Sequence, residues 1–600
     1  MKYAMNISYI PQIELMDDLS RRESASLEFV ILVTGALDTS HPQSLHPLLQ
    51  EAVRVLKKGG ILFVQGAPSV LPGVGVFLGK QLTFKYWFAV ESKPIESKPL
   101  PSVHAGVLLF VKDAGRFNVK PVRLPHRFCA ACGRTLKDWG GKAHLMNPEG
   151  YVVSDVIKDI PASDNYTQIS ELLFDILIGL LDFPANAGEQ PAGLVDVSLA
   201  EANGVAGPTE GLAWKHNRLL EAYAQYTLPD FPLSWEKRNG TQPKPITPKF
   251  DVDNLYNVIH QGDSLEILRH YPDESVDLVF ADPPYNLDKA YSVYDDGQAD
   301  QKYVEWCNEW LAEYARILKP TGSLFVLNLP RWAIHHAHFL NQHLHFQNWI
   351  VWDALSEPRG KIMPAHYALL FYTKHPSAFT FNYAAVSPID ARCYCLRASC
   401  VHQRKAAGDD AKTALNDIWW DLHRIKHRRD RDYHPCQLPD SLMERIIRLA
   451  TNPGDVVLDA FGGAGTTPIT ALQLGRRYVA MDVDPNYVEM MRKKIAQVQE
   501  RGEVQRASVR QEVRIVSKKA LQVELRQLSV ELGRLPTPED VRLKSRYGLD
   551  VFLETFPTWG KALKAAKVEK LPPVFGSAKQ FLVQMADDFD EPLEDFAEYM

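Results

Sequence analysis

The sequence predicts an α/β fold, in which buried strands and helices alternate around a largely parallel sheet. Three observations predict it. An apolar strand over 274–281 ends at two prolines. A strand, a glycine turn, a helix and a second strand follow one another over 453–484, and the first third of the chain repeats part of this pattern. The 600 residues indicate several domains, and a composition of 46% apolar and 23% charged residues is typical of a globular protein.

Composition sets limits on where the protein works. We expect no membrane association, because no apolar run reaches the ~18 residues of a membrane-spanning helix and no signal segment is recognisable. Seven cysteines in a chain of this length predict a reduced, cytoplasmic compartment rather than a disulfide scaffold. The net charge of −6 alone argues against a nucleic-acid partner, but the charge is uneven, with basic residues concentrated in 500–570.

The first candidate site is the turn Asp282-Pro283-Pro284-Tyr285, which follows the apolar strand. Two prolines cannot continue a helix or a strand ladder, so the strand must end there. Open α/β sheets bind ligands at the carboxyl ends of their strands. A carboxylate, a rigid backbone and an aromatic ring at this place suit a flat base that carries an exocyclic amine. The alternative is a proline-rich turn with Tyr285 packed in the core.

The second candidate site is the glycine turn between the strands of 453–484. Gly462, Gly463 and Gly465 let the backbone approach a ligand closely. Asp482 lies roughly 20 residues further on, at a strand end, where an acid suits a ribose diol. The pattern differs from the dinucleotide-binding G-x-G-x-x-G, so no phosphate is implied.

Both motifs together resemble those of a known family. The stretch from Phe461 to Thr467 resembles the S-adenosylmethionine motif of DNA amino-methyltransferases. The proline turn resembles their catalytic motif, and it precedes the cofactor motif here as it does in their β class. The resemblance covers about 250–500. It implies a Rossmann-like methyltransferase fold that uses S-adenosylmethionine as its cofactor. It also implies double-stranded DNA as the substrate. Asp282 with Asn286-Leu287 favours adenine N6 as the target. Cytosine N4 is the alternative, and a non-catalytic DNA-binding or regulatory protein is the alternative of another class.

The resemblance also assigns roles to residues. The catalytic residues would be Asp282, Pro283, Pro284 and Tyr285. The cofactor would contact the following residues: Asp263, Asp282, His434, Gln437, Asp459, Phe461, Gly462, Gly463, Gly465, Thr466, Thr467 and Asp482. Three of these have simpler explanations: Asp263 as a helix N-cap, His434 as a turn residue, and Asp482 as a strand-end acid without a ligand. Leu438 stands where many relatives have lysine.

The first third of the chain, over 28–180, parallels 276–450. The matched stretches are 53–64 with 315–326, 86–90 with 348–352, His104 and 108–110 with His366 and 369–371 (one residue out of step), and 154–160 with 416–422. Where the proline turn should recur, the chain reads Val33-Thr34-Gly35-Ala36-Leu37-Asp38. No Phe-x-Gly-x-Gly string follows closely after residue 180, and Ala192–Asp196 is a candidate remnant of the cofactor motif without a firm alignment. We therefore predict a degenerate copy that binds no methyl donor and serves as the partner half of an intramolecular pseudo-dimer. The alternative is a chance likeness between α/β units.

Four cysteines are candidate metal ligands. Cys129 and Cys132 form a C-x2-C pair, and Cys395 and Cys400 a C-x4-C pair. They would form a four-thiolate zinc site if the pairs met across the two halves. From sequence alone we favour the other interpretation, reduced thiols without a metal.

The last hundred residues predict a helical module. Leu521–Gly533 is an amphipathic helix closed by glycine, and Thr537-Pro538 starts the next one. The pattern resembles the homing-endonuclease-associated repeat, a helix-turn-helix-like DNA module, with Lys561, Lys564 and Lys567 suited to phosphate contact. A helical appendage packed on the enzyme is the alternative. The predicted boundaries are 1–182 (degenerate domain), 183–247 (connecting segment), 248–500 (catalytic domain), 515–570 (helical module) and 571–600 (acidic tail), and a cognate nuclease or defence-system partner is expected.

Overall fold

The computed structural model describes residues 6–35, 42–95, 99–136, 147–158, 169–183, 191–197, 255–287, 297–354, 361–395, 397–408, 412–422, 437–502, 518–545, 547, 549–556, 558–566 and 568. The chain divides into two compact units, Met1–Gln505 and Arg506–Met600. The connecting segment beyond residue 197, His434, Lys567 and the acidic tail lie outside the described residues. Within them, no helix has the length and apolar character needed to cross a membrane.

The first half of the large unit is built on a seven-stranded sheet. Its elements in chain order are β1 (Asn6–Pro11), α1 (Gln12–Arg21), β2 (Leu27–Val33), α2 (His46–Val55), β3 (Leu56–Gly66), α3 (Leu71–Gly79), β4 (Thr83–Ile95), β5 (Ser102–Val111), β6 (Arg123–Leu124), β7 (Tyr151–Val152), β8 (Val156–Ile157), α4 (Glu171–Leu180) and β9 (Ala192–Val197). The strand order is β1-β9-β2-β3-β5-β4-β8, and β6 pairs with β7 separately.

The second half is built on an eight-stranded sheet. Its elements are β10 (Val258–Gln261), α5 (Ser264–Leu268), β11 (Val276–Ala281), α6 (Asp300–Ile317), β12 (Leu318–Asn328), α7 (Pro330–Leu340), β13 (His345–Asp353), β14 (His366–Thr373), β15 (Ile389–Asp390), α8 (Ala398–Ala406), β16 (Lys412–Thr413), β17 (Ile418–Trp419), α9 (Asp440–Ala450), β18 (Val456–Asp459), α10 (Thr466–Gln473), β19 (Arg477–Asp482) and α11 (Pro485–Arg501). The order is β10-β19-β18-β11-β12-β14-β13-β17, with β15 paired to β16 apart from it.

The centre of this second sheet explains where a ligand can bind. Strands β19, β18, β11 and β12 run parallel, and β14 is antiparallel to β12. Strands β18 and β11 are almost fully buried, as strands covered by helices on both faces must be. They are neighbours, so the turns that leave their carboxyl ends lie side by side. The predicted Rossmann-like methyltransferase fold is confirmed.

The two sheets repeat one another in detail. The order β2-β3-β5-β4-β8 matches β11-β12-β14-β13-β17. In the first sheet Val64 pairs with Leu108, and in the second Val326 pairs with Leu370. Because each histidine lies four residues before its leucine, His104 and His366 occupy the same position. The predicted one-residue offset between them was therefore wrong. It arose from matching Leu108-Leu109 to Leu369-Leu370.

The first sheet differs from the second where the cofactor motif would lie. Strand β9 pairs with β2 as β18 pairs with β11, so Ala192–Val197 occupies the position of the cofactor strand. On its other side β9 pairs directly with β1, whereas β19 separates β18 from β10. The register of β2 on β3 places Val33 at the position that Asp282 occupies beyond β11.

The two halves pack through an interface in which the same contacts occur twice. Trp87 stacks on Trp349, with ring centroids 3.8 Å apart. The carboxylate of Asp155 accepts the backbone N–H groups of 365 and 366, at 2.7 and 3.1 Å. The carboxylate of Asp417 accepts the N–H of Val103 at 2.8 Å and the hydroxyl of Ser102 at 2.7 Å. Corresponding residues lie 262 positions apart (87 and 349, 155 and 417), which is the pattern of an isologous dimer interface.

The described part of the small unit, over 518–568, contains the helices α12 (Lys518–Leu532), α13 (Pro538–Lys544), α14 (Leu549–Thr555) and α15 (Trp559–Ala565). Gly533 follows α12 with φ +60°, as the predicted glycine stop requires. Thr537 caps α13, and Asp540 completes a capping box. Phe556 lies between α14 and α15 and is buried in the module's core.

Candidate active site

A cavity of about 280 Å³ opens at the carboxyl ends of the central strands. Its wall is formed by the turns after β10, β11, β18 and β19 and by the segment before α9. Every residue predicted for catalysis or cofactor binding lines it except two. Gly465 lies just behind the wall, at the start of α10, and His434 lies outside the described residues.

The Asp282–Tyr285 turn is held rigidly by its neighbours. The Tyr285 hydroxyl donates to the Asp282 carboxylate at 2.6 Å. The Tyr303 hydroxyl donates to the Pro284 carbonyl at 2.5 Å, and the indole N–H of Trp332 donates to the Tyr285 carbonyl at 2.8 Å. Tyr285 is only 7% exposed, yet it lines the cavity. The ring is thus both packed in the core and presented to the site.

Asn286, the residue after this turn, is hydrogen-bonded to the far end of the loop that follows. Asn286 adopts a left-handed conformation with φ +53°, which asparagine tolerates better than most residues. Its side-chain amide donates to the Gln298 carbonyl and accepts the Gln298 N–H, both at 2.8 Å. The two ends of the loop between 286 and 298 are therefore fixed together beside the cavity.

Two glycines of the turn after β18 are required by the way in which this turn packs inside the protein. A Cβ on Gly462 would lie 2.8 Å from the Met491 sulfur and 3.1 Å from the Met481 carbonyl oxygen. Gly465 has φ +85° and forms the N-cap position of α10. Both residues let the turn fit closely against α11, a reason that the sequence did not reveal.

Asp459 lies beneath the turn at the end of β18. Its carboxylate accepts the Phe461 N–H at 2.9 Å and the Thr467 hydroxyl at 2.5 Å. Burial raises the pKa of Asp459 to about 6, against the lowering effect of both hydrogen bonds. Asp459 and Thr467 thus fix the shape of the turn from within while facing the cavity.

Asp482 connects the end of β19 to the same turn. One carboxylate oxygen accepts the Gly463 N–H at 2.8 Å, and the other accepts the Asp484 N–H at 2.9 Å. Burial raises the pKa of this carboxyl group.

Asp263, on the turn after β10, caps α5 by accepting the N–H groups of 265 and 266 at 2.8 and 3.3 Å. It also lines the cavity.

Sequence reasoning missed several residues of the wall. Trp306 lies on α6, Asp484 follows β19, and Tyr487 lies in the first turn of α11. Trp306 also packs edge-on against Phe461, with ring centroids 5.8 Å apart. The Asp484-Pro485 pair was a readable helix start, but neither aromatic residue carried a signal that separates a cavity wall from a buried helix face.

The predicted metal ligands lie elsewhere. Cys129, Cys132, Cys395 and Cys400 come together in a cluster of their own, and none of them lines this cavity. Asp353 ends β13 and forms an ion pair with Lys158 of the first half, so it belongs to the interface between the halves.

The fold and the cavity define a methyltransferase of the Rossmann-like class, with an acid-bearing proline turn facing a glycine turn. Comparison with known proteins specifies the class further. Residues 276–493 match the N6/N4 methyltransferase family described as DNA methylase, and residues 516–569 match the homing endonuclease associated repeat.

Curated relatives agree with this assignment. Type II methyltransferase M.BamHI of Bacillus amyloliquefaciens is 36% identical over 49% of this chain and 66% of its own length. Type II methyltransferase M.HpaI of Haemophilus parainfluenzae is 32% identical over 39% of this chain and 72% of its own. DNA adenine methyltransferase YhdJ of Escherichia coli is 31% identical over 39% of this chain and 80% of its own. The chain belongs to the family of N6/N4 DNA methylases, which confirms the predicted resemblance.

Two solved structures of DNA methyltransferases are also similar to this chain. The cytosine-N4-specific PvuII DNA methyltransferase is 21% identical and covers 40% of this chain and 91% of its own, with a TM-score of 0.30. The M1.HpyAVI complex with S-adenosylmethionine is 24% identical and covers 39% of this chain and 98% of its own, with a TM-score of 0.28.

Proposed function

We propose that the protein transfers a methyl group from S-adenosylmethionine to the N6 atom of an adenine extruded from double-stranded DNA. One observation carries this proposal: a single cavity contains both the glycine turn after β18 and the Asp282–Tyr285 turn after β11. Membership of the DNA methylase family supports the same reaction.

The residues of the cavity fit the proposed methyl donor. The Asp482 carboxylate, which already accepts two backbone N–H groups, has lone pairs left for the hydroxyls of a ribose. Asp263 would lie beside the adenine ring of the donor, with Phe461 and Gly462–Gly463 as the floor. Gln437, together with His434, would border its methionine end. The donor supplies a methyl group on a sulfonium, which needs alignment more than activation.

Asp282 would prepare the nucleophile. The lone pair of an exocyclic amine is delocalised into the ring, so the nitrogen attacks poorly while it stays planar. Hydrogen bonds from the amine to the Asp282 carboxylate and the Pro283 carbonyl favour a pyramidal nitrogen with its lone pair toward the methyl group. The Tyr285 hydroxyl holds Asp282 in place, and the exposed part of the Tyr285 ring would stack on the base.

The target base must leave the helix to reach this turn. In duplex DNA the N6 amine is paired, and enzymes that modify bases extrude the nucleotide at a cost of a few kcal/mol. Contacts between the extruded base and the pocket must offset this free-energy cost. Removing Asp282 should therefore abolish methylation and leave the fold unchanged.

We further propose that the first 182 residues, together with β9 (Ala192–Val197), act as an intramolecular partner of the catalytic domain over 248–500. The doubled contacts of Trp87 with Trp349 and of Asp155 and Asp417 support this pseudo-dimer. Val33 at the position of Asp282 supports a non-catalytic role. In solution the chain should have the mass of a monomer, 67.8 kDa, or of a homodimer that leaves the interface between the two halves intact. An obligate homodimer formed through the catalytic face would contradict the proposal.

The helical module over 515–570 would add affinity for DNA. Lys561 and Lys564 are exposed on α15, on the side opposite the buried Ala562 and Ala566. Exposed lysines on one helix face suit phosphate contact. We place the protein in the cytoplasm, on DNA, with a nuclease of the same specificity as its partner in a restriction–modification pair.

Sequencing that detects modified bases tests the reaction. DNA from cells that express the wild-type chain should carry N6-methyladenine in one sequence context, and DNA from cells that express Asp282→Ala should carry none. N4-methylcytosine instead would establish the alternative target. An absence of any modification by a folded, expressed wild-type chain would refute the enzyme function.

A further inference from the structure

Four cysteines from the two halves form one compact cluster. The sulfur atoms of Cys129, Cys132, Cys395 and Cys400 all lie within 4.8 Å of one another. The Cys129–Cys400 and Cys132–Cys395 sulfur distances are 3.8 and 3.7 Å. A tetrahedral zinc with Zn–S bonds of about 2.3 Å has edges of about 3.8 Å between its sulfurs. A disulfide would instead bring two sulfurs to about 2.05 Å.

The backbone around the first pair has the form of a tight knuckle. The Gly133 N–H donates to the Cys129 carbonyl at 2.9 Å, and Gly133 adopts φ +65°. Phe128 and Thr135 form a bridge on either side of this turn. The turn therefore presents Cys129 and Cys132 on the same side, as a C-x2-C metal knuckle does.

The second pair meets the first from the catalytic half. Cys400 lies in the first turn of α8 and Cys395 just before it. The Cys395 N–H donates to the Cys129 sulfur at 3.3 Å, and the Ala130 N–H donates to the Cys393 carbonyl at 3.0 Å. Backbone N–H groups aimed at a sulfur stabilise its thiolate form, and such outer hydrogen bonds are typical of metal sites.

The surroundings of the cluster suit a charged metal centre. Cys129, Cys395 and Cys400 are at most 3% exposed. Four thiolates around a divalent cation carry a net charge of −2. The guanidinium of Arg404, one helical turn after Cys400 and 3% exposed, stacks on the neighbouring Tyr394 ring at 4.3 Å and places a buried positive charge beside them.

We propose that these four cysteines bind one structural zinc ion, which joins the degenerate half to the catalytic half. Four sulfur ligands in a tetrahedron select zinc or iron among common metals. All four coordination positions would be filled by protein, so the ion would stabilise the interface rather than take part in chemistry. The sequence spacing could not establish this, because the pairs lie more than 260 residues apart.

Metal analysis of the full chain tests the proposal. Protein purified without chelators should contain about one zinc per chain, as a single closed site requires. Cys132→Ser combined with Cys395→Ser should lose it. Cys393→Ser is the matched control, because Cys393 lies in the same segment but is exposed and outside the cluster. This control should retain the zinc and the wild-type melting temperature.

A second measurement needs no variant. Metal-free wild-type chain should bind one cobalt(II) with the intense thiolate charge-transfer and visible bands of tetrahedral sulfur coordination, and it should melt at a lower temperature than the zinc form. Iron in place of zinc, inter-half disulfides detected by mass, no cobalt uptake, or full zinc retention by the double variant would each overturn the proposal.

Discussion

The Asp482 carboxylate should determine much of the affinity for the methyl donor. We predict that Asp482→Ala weakens binding of S-adenosylmethionine, because the ribose hydroxyls lose a charged acceptor. The Gly463 and Asp484 N–H groups lose theirs as well. A hydrogen bond to a charged group contributes about 1.5–3 kcal/mol, so the loss of one ribose bond corresponds to a roughly 10- to 150-fold increase in Kd. With two hydroxyls affected we expect more than about 100-fold.

Isothermal titration calorimetry with the donor and the purified full chain measures this effect. Asp196→Ala is a suitable control, since Asp196 is a strand-end acid as well and accepts the Val33 N–H at 3.0 Å, but it belongs to the degenerate half. Asp196 is buried, whereas Asp482 is half-buried. Its loss should leave donor affinity unchanged. Melting curves of both variants establish that each one is folded at the temperature of the titration.

Two results would refute this reasoning. One is a folded Asp482→Ala variant that binds the donor as tightly as wild type, because the proposed ribose contact would then not exist. The other is equal weakening by Asp196→Ala, because the effect would then be a general consequence of removing a strand-end acid and would not depend on the cavity.

Three further predictions concern other residues. Tyr285→Phe should lower kcat about 10- to 150-fold with donor affinity unchanged, since it removes one hydrogen bond of about 1.5–3 kcal/mol to the Asp282 carboxylate; equal kcat would contradict this. Burial raises the pKa of Asp155 to about 7. Between the pKa values of the unfolded and the folded state, this carboxyl group therefore carries a proton in the folded state that it lacks in the unfolded state. Stability should therefore fall as pH rises from about 4 to 7, by up to about 1.4 kcal/mol per pH unit. The melting temperature of Asp155→Asn should fall less over this pH range than that of wild type. An equal fall in both proteins would refute the prediction. Replacing both Lys561 and Lys564 by alanine should weaken DNA binding and reduce the salt-dependence slope by about 1–2, whereas Lys544→Ala, which removes a partner of Glu531, should change neither.

Local sequence patterns were sufficient for the elements whose ends are chemically marked. The two prolines after Ala281 ended β11 where expected, and the glycine turn led into a helix. Thr537-Pro538 began α13 with the predicted cap. These outcomes depend on backbone rules that act over a few residues, so they can be predicted without knowing what packs against them.

Features that depend on distant partners were beyond the sequence. Trp306 and Tyr487 line the cavity because α6 and α11 cross it, and helical periodicity alone does not show which buried face borders a site. The glycine at 462 is explained by Met491, 29 positions away. The register of His104 and His366 needed the strand pairing, because adjacent leucines allow two alignments.

Asp282 should act on the target base beside the methyl donor. Single-turnover methyl transfer measures this role. Enzyme in excess over DNA, saturated with methyl-labelled S-adenosylmethionine, is mixed with DNA and the label in adenine is followed. Wild type should transfer the label to N6, and Asp282→Ala should transfer it at least ~100-fold more slowly, a loss typical of removing one preorganised catalytic group. Equal single-turnover rates at donor saturation would contradict the account.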